Sequence, residues 1–112
     1  MSSQSTSTGG TSVPFGEWLR QLREAKAILQ RDVAAAADMD VAVLSKIELG
    51  QRVATEDQTR NLAKFFRVNE TEAQARRMVE KFRQEAGENP AAARRAVCIL
   101  AQEAGLYRTK EN

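Results

Sequence analysis

At 112 residues, 29% of them charged and 42% hydrophobic, the chain has room for one compact domain, or one small domain with an appendage. A formal net charge of +2 argues only weakly for a polyanionic partner, and one cysteine (Cys98) with no histidine excludes intrachain disulfides, nearly every zinc arrangement and histidine-based catalysis. No apolar run approaches the ~20 residues of a membrane span and the N-terminus shows no signal-peptide core, so a cytoplasmic protein without metal or cofactor is expected.

Residues 1–13 are mostly Ser, Thr, Gly and Gln, carry no charge, and are expected to form a disordered tail that cannot offset its own ordering entropy. Pro14 and Phe15 open a first helix with Phe15, Leu19 and Leu22 on one face and Ile28 closing the stretch. Residues 30–52, QRDVAAAADMDVAVLSKIELGQR, predict two short helices. Val33, Ala34 and Ala37 share one face of the first, and Leu44 and Ile47 one face of the second. Between them Asp38 tolerates a left-handed conformation, Met39 can plug the corner, and Asp40 can cap the second helix. Two helices joined by so short a turn form a helix-turn-helix, whose second helix can lie in the major groove of DNA.

Thr55-Glu56-Asp57-Gln58 predicts a capping box and a fourth helix from Glu56, with Leu62, Phe65 and Phe66 inward and Val68 just beyond. Asn69-Glu70-Thr71-Glu72 predicts a second box and a helix to about Ala86, ended by Gly87. Asn89-Pro90 opens a last helix and Gly105 stops it. The apolar residues here are Ala75, Met78, Val79 and Phe82 on one helix, and Val97, Ile99, Leu100 and Leu106 on the other. The expected fold is all-α: a four- to five-helix DNA-binding domain with a helix-turn-helix over residues 14–68, then a C-terminal helical hairpin over residues 69–106. Residues 107–112 form a polar tail.

The segments FGEWLRQLREAK, Gln30 with Val33-Ala34, and LSKIELGQR stand in an order and spacing that resembles the Xre/Cro-type helix-turn-helix family. That family includes lambdoid phage repressors and many small bacterial regulators, and the resemblance covers roughly residues 15–68. Three positions depart from the pattern: Leu29 where the family has a Ser or Thr cap, Asp38 where it has Gly, and Leu49 where it often has a polar or basic residue. The missing cap should cost about 1 kcal/mol. The resemblance implies that Gln30 hydrogen-bonds the DNA backbone and braces the recognition helix, and that Gln51 and Arg52 grip phosphates. It also implies that Arg23 and Glu48 form a structural ion pair tying the first helix to the end of the third. Arg31, next to Gln30, is placed to reach a phosphate or to remain solvated.

The outward face of the third helix carries Asp40, Val41, Ala42, Val43, Ser45 and Lys46. Lys46 can donate to guanine O6 and N7 or to a phosphate, and Ser45 can donate or accept. Val41, Ala42 and Val43 can pack their methyls on thymine methyls, although Val43 can equally turn inward; Asp40 is first a cap and only secondarily a cytosine contact. Trp18 is open between core packing and an inter-subunit contact. Cys98 reads as a small buried filler, and the pairs Arg76-Arg77 and Arg94-Arg95 read as solvated faces.

The function these readings favour is a sequence-specific transcriptional regulator, a repressor of bacterial or phage type, bound as a homodimer to a palindromic operator in double-stranded DNA. One such module buries only ~600–1,000 Å², too little for tight discrimination alone. Met78, Val79, Phe82, Val97 and Leu100 are the expected dimerisation residues. The alternative is an antitoxin or adaptor whose C-terminal hairpin binds a protein partner, and controllers encoded beside restriction–modification genes share the same resemblance. With no phosphate-binding Gly-rich loop, no metal-spaced ligands and no catalytic constellation, an enzyme is not expected.

Overall fold

A computed structural model describes residues 13–105, which form six helices and no strand. They are α1 (Phe15–Ala25), α2 (Gln30–Ala36), α3 (Val41–Glu48), α4 (Glu56–Phe66), α5 (Glu70–Ala86) and α6 (Pro90–Glu103). The tails expected at residues 1–12 and 107–112, and Leu106, lie outside the described residues. The chain divides into two compact units, one running to Glu80 and the other starting at Lys81.

The first unit has one apolar core, built from Phe15 and Leu19 of α1, Val33, Ala34 and Ala37 around α2, Leu44 and Ile47 of α3, Ala54, and Leu62 and Phe66 of α4. Helices of seven and eight residues are too short to hold by themselves, so α2 and α3 depend on this packing. Gly16 sets the closest approach. A β-carbon there would run into the backbone carbonyl oxygen of Ile47 and lie 2.9 Å from that of Glu48. Only glycine lets α1 lie flush against the end of α3.

The first four helices stop in the same way. After each, one residue takes the left-handed conformation: Ala27 (φ 55°), Asp38 (φ 59°), Gly50 (φ 79°) and Arg67 (φ 59°). The following N–H then reaches back five residues, from Ile28 to Arg23, Met39 to Ala34, Gln51 to Lys46 and Val68 to Ala63, at 2.9–3.1 Å. Ile28, Met39 and Val68 turn onto the core in consequence. Met39 therefore fills the corner between α2 and α3.

The helix starts are less regular. Thr55 and Gln58 form the full reciprocal capping box, with both bonds at 3.0 Å. Asn69 accepts from the Glu72 N–H at 2.8 Å, but the Glu72 carboxylate turns to Arg76, also at 2.8 Å. Leu29 offers α2 no side-chain cap. The cap expected from Asp40 is corrected: Asp40 stands at the N-cap of α3, but its side chain makes no capping bond. The Val43 N–H, which a capping carboxylate would take, donates to the Asp40 backbone carbonyl at 3.0 Å.

The first unit continues beyond Val68 because the opening turns of α5 pack on it. Ala73 is buried, Arg60 bridges Asp57 and Glu70, and Gln74 donates to the Glu56 carbonyl at 3.1 Å. The Arg76 guanidinium lies 4.6 Å from the centre of the Trp18 ring, which is tilted against Phe15. Trp18 is thus covered from within its own unit. In the second unit the end of α5 and α6 are joined by residues 87–89, with Asn89 accepting from the Ala92 N–H and Pro90 at the first helical position. Phe82, Ala86, Pro90, Ala93 and Val97 line a shallow apolar cleft, yet α6 buries none of its residues.

Relieving the left-handed strain at Ala27 or Asp38 by substitution to Gly should stabilise the fold by about 0.5–1 kcal/mol each. Gly16→Ala should destabilise it by about 3 kcal/mol, because the obstacle is backbone and cannot rotate away. Thermal melts of the three variants check both signs.

Candidate nucleic-acid interface

The third helix divides cleanly. Leu44 and Ile47 are buried and Val43 packs against the core, so Val43 is turned inward. Val41, Ala42 and Lys46 are exposed and Ser45 is half-exposed. With 100° between successive residues, Val41, Ser45 and Leu49 form one row and Ala42 and Lys46 the next. This outward strip faces away from the core along the whole helix.

What fixes the strip is the carboxylate of Glu48, whose side chain is only 3% exposed. Arg23 Nε donates to its Oε2 at 2.8 Å and Arg23 Nη2 to its Oε1 at 3.0 Å, a two-pronged guanidinium–carboxylate pair. Gln30 Nε2 donates to the same Oε1 at 2.9 Å. Arg23 Nη1 also donates to the Ile28 carbonyl at 3.1 Å, so one guanidinium holds both the α1–α2 connection and the end of α3. Hydrogen bonding to Glu48 raises the Arg23 pKa above its ordinary value, outweighing the burial that opposes it.

Gln30 is therefore doubly placed. It opens α2 half-exposed, with one amide proton committed to Glu48 and its other proton and carbonyl oxygen left for a ligand. Arg31 beside it is exposed. Beyond α3, the left-handed Gly50 reverses the chain and sets Gln51 and Arg52 outward, both exposed. Arg31, Lys46 and Arg52 have no side-chain partner among the described residues, whereas Arg60 and Arg76 are held by carboxylates. Asp40 is exposed at the other end of the strip. The site residues read from the sequence thus fall on α3 or beside its two ends, with Val43 the one that turns to the core.

Met78, Val79, Phe82, Val97 and Leu100 lie on α5 and α6, away from this strip in sequence; Met78 is 60% exposed and Leu100 58%. Among the described residues no group of three or more His, Cys, Asp or Glu side chains is gathered to hold a metal ion, and no helix is long and apolar enough to cross a membrane.

Two exposed leucines flank these residues and carry no polar signal in the sequence. Leu29, 54% exposed, precedes Gln30, and Leu49, 63% exposed, follows Glu48. The Gln30–Glu48 hydrogen bond brings these two points of the chain together. Gly16 was equally silent, since a glycine in the first turn of a helix has no signature of its own.

Short helices packed about one core, with an outward helix held by a buried carboxylate and bordered by unpaired cations, define an all-α DNA-binding domain. The chain belongs to the helix-turn-helix domain family, whose model matches residues 14–75. Comparison with curated proteins and with solved structures returns no match.

Removing one partner of the clamp strands the other charge in a buried place. Arg23→Ala should cost about 3 kcal/mol, and Glu48→Ala made on top of it should add far less than it costs alone. Melting curves of the two single variants and the double variant measure the coupling. Additive losses would mean that the two side chains do not act as a unit.

Proposed function

We propose that the protein is a sequence-specific transcriptional regulator of the Xre/Cro type, a cytoplasmic repressor that binds a palindromic operator as a homodimer. α3 lies in the major groove, with Lys46 donating to guanine O6 and N7 and Ser45 to an adjacent base edge. Gln30, Arg31, Gln51 and Arg52 contact phosphates and fix the register of the helix on the duplex. The observation that carries this reading is the pairing pattern: Glu48 holds α3 in place through Arg23 and Gln30, while Arg31, Lys46 and Arg52 remain uncommitted around its outward strip.

Dimerisation is supported by exposure. Met78 and Val79 on α5, and Val97 and Leu100 on α6, are large apolar side chains left in solvent, and Phe82 is only partly covered. Two modules on a two-fold site place half-sites about 34 Å apart and add the area that one module lacks. A second reading, an antitoxin or adaptor, draws on the same α6, which buries none of its residues and would serve a different protein as readily as a second copy.

Selection of bound fragments from random DNA should return a palindrome. Lys46→Ala should lose ~1–3 kcal/mol of discrimination at one position in each half-site, and Arg52→Ala should weaken all sequences alike. Equal losses on operator and random DNA for Lys46→Ala would reduce it to a backbone contact. Sedimentation should find a dimer at micromolar concentration and a monomer for Phe82→Glu; a wild-type monomer would favour the adaptor.

A further inference from the structure

We infer that the outward strip of α3 selects its site by 5-methyl groups on pyrimidines, with Leu49 joining Val41 and Ala42 as a specificity-determining residue. The inference rests on the reading of α3 as the helix that enters the major groove. Val41 is 43% exposed and Leu49 63%, Ala42 is exposed between their rows, and Val43 is withdrawn to the core. Leu49 keeps right-handed helical backbone angles (φ −84°, ψ −3°), so it prolongs the row of Val41 and Ser45 rather than leaving it. The row is about 12 Å long at 1.5 Å per residue, enough to pass three to four base pairs at about 3.4 Å each.

Along that row the means of hydrogen bonding are sparse. The strip has one half-exposed hydroxyl, Ser45, one flexible ammonium, Lys46, and at its start the exposed Asp40 carboxylate, and it carries no Arg, Asn or Gln that could form a two-pronged bond to a purine edge. Against adenine, guanine or unmodified cytosine, Val41, Ala42 and Leu49 find no methyl group to pack on. A 5-methyl group is the one apolar feature a major-groove edge presents. Thymine supplies it ordinarily and 5-methylcytosine supplies it after modification. The same residues therefore reward the methyl from either source.

The test uses the full chain and fragments selected from two random libraries, one with ordinary cytosine and one with 5-methylcytosine throughout. Each selected duplex is then rebuilt without its methyls, deoxyuridine replacing thymine in one arm and cytosine replacing 5-methylcytosine in the other. Affinity should fall about fourfold for each contacted methyl removed, and the arm in which it falls identifies the source. Val41→Ser and Leu49→Gln, both at exposed positions, should fold normally and bring the ratio of methylated to unmethylated affinity towards one. Unchanged affinity in both arms would overturn the inference while leaving DNA binding intact, and an unchanged ratio in both variants would remove these residues from it. Failure to enrich any sequence from either library would instead overturn the DNA-binding reading beneath it.

Discussion

The buried carboxylate of Glu48 is the point on which this domain turns. It sits at the last residue of α3 and accepts from α1 through Arg23 and from the start of α2 through Gln30. A carboxylate this enclosed is tolerable only when its oxygens are satisfied, and the three donors do so with bonds of 2.8–3.0 Å. The pair adds less to net stability than its short distances suggest, since both charges left water to form it. Its contribution is orientational: a seven-residue and an eight-residue helix have few ways to be held at a fixed angle, and here one side chain addresses both.

The backbone solves the same problem at the other helix ends. Each of the first four helices ends in a left-handed residue, and three of the four residues are not glycine. Ala27, Asp38 and Arg67 accept steric strain so that Ile28, Met39 and Val68 can fold onto the core at the next position. Tertiary packing therefore outweighs local preference at these corners. Together with the glycine at position 16, which lets α1 close on the carbonyls of α3, these corners present the outward strip on a rigid base.

Much of this was legible in the sequence because it is written in periodic or paired signals. The apolar spacing of Val33, Ala34, Leu44, Ile47, Leu62 and Phe66 gave the core, and Thr55 with Gln58 gave the start of α4. Legibility failed where the deciding contact comes from elsewhere in the fold. Asp40 has the right chemistry to cap α3, but the N–H it would take is claimed by its own carbonyl. Trp18, ambiguous in isolation, packs on Phe15 and under Arg76, 58 positions later. The inward turn of Val43 and the exposure of Leu29 and Leu49 depend on helix packing that no single residue type announces.

The most direct test of the account is a backbone amide NMR titration of the full chain with its selected duplex. The resonances of Gln30, Arg31, Val41, Ala42, Lys46, Gln51 and Arg52 should move together, while those of buried Thr59 and Leu62 on α4 stay in place. Movement confined to α5 and α6, or none with any duplex, would contradict the claim that α3 and its two flanks form the nucleic-acid surface.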